Sequence, residues 1–216
     1  MSGYLRKARD PISSLTHLIA AVLFGCGTLL LLIKGLAVGS GAGSVAAALA
    51  FGFSLIALYS TSAAYHFSTA SEQVILTLRK LDHSMIYVLI AGSYTPILLH
   101  YFPAPKSIWL TGAIWGLAAL GIAAKLLWFN APRILYTGFY ILMGWFILLD
   151  LSALASMEPA AIWMLVLGGV SYTVGGACYA LKWPNFSPRF GHHEFFHLLV
   201  MLGSLLHYLI VFIFVV

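Results

Sequence analysis

The sequence predicts an all-α integral membrane protein: a bundle of seven transmembrane helices in a single domain covering residues 1–216, with 1–14 as an N-terminal segment. Three observations predict it. The chain is 62% hydrophobic and only 8% charged, with mean hydropathy +0.98, whereas a soluble domain carries about 25% charged residues. There is too little polar surface to coat a water-soluble globule. The apolar runs are about 20 residues long, which suits spanning helices and not the roughly 10-residue alternating strands of barrels. The basic residues fall overwhelmingly on one side of the resulting topology.

The elements follow in order. Spans are expected near 15–33, 43–66, 82–101, 108–128, 134–155, 161–182 and 193–215. The connections carry the helix breakers. The run from Gly35 to Gly43 follows the first span, and Pro103 with Pro105 the third. Asn130 to Pro132 follows the fourth, Glu158-Pro159 the fifth, and Pro184 to Pro188 the sixth. Trp109 and Trp128 bracket the fourth span and Trp163 and Trp183 the sixth, as interfacial aromatics do. The first run is longer than the apolar core of a signal peptide, so it is read as a retained anchor. Gly112-x-x-x-Gly116, Gly168-Gly169 and Gly175-Gly176 are read as close helix packing. Cys26 and Cys178 sit inside apolar runs and are read as small buried hydrophobes.

Orientation follows from Lys and Arg. The N-terminus and the even-numbered loops hold nine of the eleven: Arg6, Lys7, Arg9, Arg79, Lys80, Lys125, Arg133, Lys182 and Arg189. The odd-numbered loops hold two, Lys34 and Lys106. The positive-inside rule then puts the N-terminus in the cytoplasm and the C-terminus outside. The net charge of +5 therefore reports orientation, not nucleic-acid binding.

Ionisable groups inside a bilayer are costly and mark function by default. His66 ends the second span, Asp82 starts the third, and His193 and His197 start the seventh. Topology places all four at the cytoplasmic ends, within about two turns of the surface. His193 and His197 are one helical turn apart and can reach one ion, with His66 supplying a third nitrogen. Three histidines leave one tetrahedral position open, the catalytic pattern for zinc, and nitrogen ligands favour zinc over magnesium or calcium. Asp82 is placed to hold a water or orient a ligand histidine, and also suits a helix N-cap. Ser62 lies one turn before His66 on the same face; alone it would be a packing hydroxyl.

The bland readings are real for the other polar groups. An i, i+4 histidine pair by itself often only hydrogen-bonds at the interface; its coincidence in depth with His66 and Asp82 favours a metal. His17 is expected to be a structural hydrogen-bonder, and His207, about 15 Å deeper than His197, a buried one. His83 and His192 leave the ligand face, and His100 lies at the outer end of its span. Asp150 snorkels or caps, and Pro96 is expected to kink the third span. His193-Glu194-Phe195-Phe196-His197 matches the metalloprotease pattern in which Glu is the general base. Glu194, however, is rotated about 100° from His193 and suits a supporting or helix N-terminal role.

The motifs Ser62-x-x-x-His66, Leu81-Asp82-His83-Ser84-x-Ile86-Tyr87, Ala91-Gly92-Ser93-Tyr94-Thr95-Pro96 and His193-x-x-x-His197 with His207 resemble the hemolysin III proteins. These belong to the progestin and adipoQ receptor superfamily, which includes the adiponectin receptors. The resemblance runs from about Pro11 to the C-terminus. It implies a seven-helix fold with the N-terminus inside and zinc near the cytoplasmic face, held here by His66, His193 and His197. It implies that Asp82 contacts the zinc-bound water and that Ser62 belongs to the site. It connects the chain with hydrolysis of lipid amides such as ceramides, with membrane homeostasis and, by name, with lysis. Receptor members carry Gln where this chain has Glu194, so the protease base does not carry over.

The leading expectation is a zinc-dependent membrane hydrolase of a lipid amide or ester at the plasma membrane, with Asp82 and Ser62 as catalytic groups. The alternative is a membrane sensor or receptor-like protein, or a cytolytic one, with structural zinc. An intramembrane metalloprotease ranks below both, because nothing else in the chain supplies a peptide-binding strand. A secreted lysin that inserts later fits poorly with seven resident spans.

Overall fold

A computed structural model describes residues 2–188 and 190–216, and is all-helical among them. Arg189, one of the nine basic residues used for orientation, lies outside the described residues. A short helix α1 (Ser2–Lys7) leads into α2 (Pro11–Ala37), α3 (Ala42–Phe67), α4 (Glu72–Tyr101), α5 (Lys106–Leu127) and α6 (Arg133–Gly144). Two 3₁₀ turns, Phe146–Leu149 and Leu151–Ser156, then lead to α7 (Pro159–Leu181) and α8 (His192–Ile210), which ends in a π turn, Val211–Val215. Five helices are long and apolar enough to cross a membrane: α2, α3, α5, α7, and α8 with its π turn. Large apolar side chains such as Val22, Leu29, Trp109, Leu120 and Trp163 face outward from them, as lipid-facing surface does.

The helix starts are legible in local chemistry. Pro11 and Pro159 stand at the first positions of α2 and α7, where a missing N–H costs nothing. Lys182 ends α7 in the left-handed conformation, φ 58°.

Two expected spans are drawn differently. The third was expected to begin at Asp82, but α4 starts at Glu72, ten residues earlier. The segment Glu72–Leu81 contains no breaker, and an acidic first residue suits the helix dipole. Its Arg79 and Lys80 belong to the helix, not to a loop. Asp82 therefore lies inside α4 and is not an N-cap. α4 runs on through Pro96 without interruption.

The fifth was expected to be continuous over 134–155, but α6 stops at Gly144. Tyr94 on α4 donates its hydroxyl to the Gly144 carbonyl (2.7 Å) and accepts from the Ile147 N–H (3.2 Å). That carbonyl is diverted from the helix ladder, and Leu148 bonds back to Trp145 instead. Asp150 caps the second 3₁₀ turn through the Ser152 N–H (3.0 Å) and pairs with Lys106.

α2 packs on α3, α3 on α4, α4 on α5, and α7 on α8. One apolar core centres on α4 with Ile114, Met143 and Leu165. The other joins α2, α3 and α8 around Phe51, Tyr59 and Val211. Glycine sets the α3–α4 approach: a Cβ at Gly92 would lie 2.3 Å from Ser54 Oγ. Gly168 likewise accommodates His207, and Gly175 and Gly176 meet Leu199 and Ile141. Gly112 and Gly116 do not follow the packing expectation, since a Cβ at either would meet nothing within 4 Å. Cys26 is exposed, not buried.

Candidate metal centre

The start of α2, the end of α3 and the start of α8 meet at one end of the bundle. The Asp10 N–H donates to the His66 carbonyl (2.9 Å), and Ser14 Oγ donates to the Ala63 carbonyl (2.9 Å). Ser13 Oγ donates to Glu194 Oε1 (2.7 Å). These bonds tie the start of α2 to the end of α3 and to the start of α8.

There His66, His193 and His197 converge, each offering a ring nitrogen within 4.8 Å of the others. His66 Nε2 and His193 Nε2 are 3.2 Å apart. Two nitrogens bound to one tetrahedral zinc at roughly 2.0–2.1 Å would stand about 3.3–3.4 Å apart. The three ring centroids are 4.6, 4.9 and 5.1 Å from one another and mutually inclined, as converging ligands are. His197 is buried beside them. The residues present fit a metal ion.

Asp10, which sequence reasoning did not single out, supports the cluster from outside. Its Oδ2 accepts from His66 Nδ1–H at 3.0 Å. A carboxylate can only accept, so the ring proton sits on Nδ1 and Nε2 presents a lone pair toward His193. The carboxyl of Asp10 is held below its ordinary value, chiefly by this bond. Arg9, 3.0 Å away, adds to the effect and partial burial opposes it. The available signal was an acidic residue directly before a helix-starting proline, but nothing in the sequence pairs it with His66.

Asp82 and Ser62 are both buried and line one cavity with His193 and His197. Its volume is about 110 Å³, and a water needs roughly 10–15 Å³. The lining is mostly aliphatic and aromatic, and the cavity extends past Trp145 and Tyr172 to His207. His66 itself sits behind it, between Asp10 and His193.

The remaining histidines sort as follows. His17 was expected to be a structural hydrogen-bonder, but neither of its ring nitrogens has a partner. It stacks on His197 instead, with centroids 3.6 Å apart and planes at 10°. That near-parallel stack differs from the inclined rings of the cluster and buttresses His197. His207 Nε2–H donates to the Leu165 carbonyl at 3.4 Å. His83 lines the cavity, and His192 bonds Asn185 at the surface. Glu194 is occupied elsewhere: Oε2 accepts from the Gly191 N–H (2.9 Å) and Oε1 from Ser13. It caps α8 and ties it to α2.

Comparison with known proteins agrees with the sequence resemblance. A family model described as "Haemolysin-III related" matches residues 5–208. The "Hemolysin-3 homolog" of Bacillus subtilis (strain 168) is 37% identical over 155 residues, 71% of this chain and 70% of that one. "Hemolysin-3" of Bacillus cereus is 33% identical over 193 residues, 89% and 85% of the two chains. The "Adiponectin receptor protein" of Drosophila melanogaster is 30% identical over 158 residues, 60% of this chain and 33% of that one. With a family match over most of its length and two such relatives, the chain belongs to the haemolysin-III related family of membrane proteins, within the superfamily that includes the adiponectin receptors.

Proposed function

We propose that the protein is a zinc-dependent hydrolase of a lipid amide or ester, embedded in the plasma membrane with its centre near the cytoplasmic face. One observation carries the reading: the nitrogens of His66, His193 and His197 converge, and His193 and His197 line an apolar cavity together with Asp82 and Ser62. Apolar walls suit an acyl chain, and the polar end suits a scissile bond just below the headgroup. His66, His193 and His197 would hold the ion. Zinc, when bound, supplies Lewis acidity that polarises a carbonyl and acidifies a water. Asp82 would orient the attacking water and carry its proton to the leaving group. The Ser62 hydroxyl would donate to substrate or water. Glu194 has both oxygens engaged, which argues against a metalloprotease mechanism.

Seven spans accompany this reading. α4 has 30 residues, about 45 Å of helix, and its buried residues all lie between Asp82 and Tyr101. α6 and its 3₁₀ turns together supply the remaining crossing. The basic residues beside the cluster support a cytoplasmic location for that end.

A second reading is favoured by the ties among α2, α3 and α8 at the cluster. There the metal would clamp three helices in a sensor of membrane state, in keeping with a relative named as a receptor. Purified protein, metal-loaded or chelated, is assayed on a panel of lipid amides and esters. Metal-dependent turnover that Asp82→Ala abolishes supports the hydrolase. Failure on every amide and ester with zinc in place sinks it and leaves the clamp.

A further inference from the structure

We propose that the rim of the cavity beside His83 is a binding site for a phosphate group, the headgroup of the lipid that the cavity takes, held by Lys125, Arg133 and Arg79. The inference rests on the cavity being the lipid site.

Four cations lie on aromatic rings that line the cavity or stack against its wall; Lys80, 5.6 Å from the Phe129 ring centroid, is the most distant, and the other three make up the site. Lys125 Nζ lies 3.6 Å from the Tyr136 ring centroid and 4.8 Å from that of Phe129. The Arg133 guanidinium lies 4.5 Å from the Tyr179 ring centroid and donates to the Tyr179 carbonyl at 3.0 Å. Arg79 lies 5.2 Å from the Phe129 ring centroid. Tyr136 and Tyr179 line the cavity, with their hydroxyls 3.3 Å apart. His83, also in the lining, stacks on Phe129 at 5.9 Å.

Among the described residues none of the three cations is paired with a carboxylate; the ion pairs there are Arg9–Asp10, His66–Asp10 and Lys106–Asp150. Lys125 is the telling member. It is only 4% exposed, and its ammonium donates to the Phe129 carbonyl at 3.1 Å. Sequestering an ammonium without a counter-anion is costly, and ring faces offset only part of that cost. Orientation by positive charge needs basic residues at the cytoplasmic surface, which exposed Arg79 supplies; it does not need one enclosed by rings. An anion with several oxygens would complete the set. Guanidinium groups match phosphate oxygens in pairs, and an ammonium binds phosphate as a point charge.

The test uses the full-length, metal-loaded protein in detergent. Lipid retention is quantified by native mass spectrometry for two probes with the same chain, oleoyl lysophosphatidic acid and monooleoylglycerol. Inorganic phosphate is added as a competitor. The phosphate lipid is expected to bind about tenfold or more tightly than the neutral one, a charge-assisted hydrogen bond being worth that much. Arg79→Gln and Lys125→Met are each expected to weaken the phosphate lipid about tenfold and leave the neutral lipid unchanged. Competition by inorganic phosphate would mean recognition of the free anion; preference without competition would mean recognition of the lipid headgroup alone. Both support the site. Equal binding of the two lipids overturns it, as does unchanged binding in Arg79→Gln. Since Arg79 is exposed, that variant and the wild-type comparison decide even if Lys125→Met does not fold. Failure of both lipids to bind the metal-loaded wild type overturns the lipid-cavity reading as well.

Discussion

Asp10 and His66, 56 positions apart, are joined twice: the His66 carbonyl accepts from the Asp10 N–H at 2.9 Å, and Asp10 Oδ2 accepts from His66 Nδ1–H at 3.0 Å. The first bond fixes the entry of α2 against the end of α3. The second fixes the tautomer of an imidazole whose other nitrogen faces His193. The residue just before α2 is thereby joined to one of the three histidines that could hold a metal.

Asp10→Ala is expected to weaken metal binding about 10–100-fold, the usual effect of removing the outer partner of a ligand histidine. Asp10→Asn, which can still accept through its amide oxygen, is expected to lose less. Competition with a fluorescent chelator measures both. Affinities equal to wild type would remove Asp10 from the centre.

His66→Ala and His193→Ala are each expected to abolish stoichiometric metal, read by elemental analysis of purified protein. Stripping the wild type should also lower its thermal stability. A ligand at 1,000 times its dissociation constant stabilises by about 4 kcal/mol. Full metal content in both variants would refute the three-helix cluster.

Asp82→Ala is expected to keep its metal and lose lipid hydrolysis by about 10²–10⁴-fold, the range for a positioned acid–base group. Ser62→Ala should lose less, since it removes one hydrogen-bond donor. Unimpaired turnover in Asp82→Ala would exclude the proton-transfer role.

Glu194→Gln is expected to retain metal and turnover. Glu194→Ala should cost about 1–2 kcal/mol of stability, because the Gly191 N–H and the Ser13 hydroxyl both lose their acceptor. Thermal unfolding and turnover of the same preparations separate the two effects. A turnover loss in Glu194→Gln like that of Asp82→Ala would restore the protease-type base.

Gly92→Val places a branched side chain where even a Cβ meets Ser54 Oγ at 2.3 Å. It is expected to destabilise by about 1–3 kcal/mol through overpacking. Gly112→Val, in open space, should be nearly neutral in detergent. Equal midpoints for the two would contradict the α3–α4 approach described above.

The sequence by itself determined the all-helical membrane class, because apolar run length and charge depletion are one-dimensional properties. It also predicted that His66, Asp82, His193 and His197 share one end of the bundle, because alternating spans would convert sequence position into depth. Depth alone does not say which side chains touch. Tertiary structure decided that Asp10 holds His66, that His17 stacks on His197, and that Glu194 turns to Gly191 and Ser13. It also decided the two boundaries that composition misplaced. Charged Arg79 and Lys80 read as loop residues, yet they lie within one continuous helix, Glu72–Tyr101. Gly144 reads as mid-span, yet the Tyr94 hydroxyl takes its carbonyl and ends the helix. These are contacts between residues far apart in the chain, and each depends on the rotation of one helix about its axis relative to another, which hydropathy and charge do not encode.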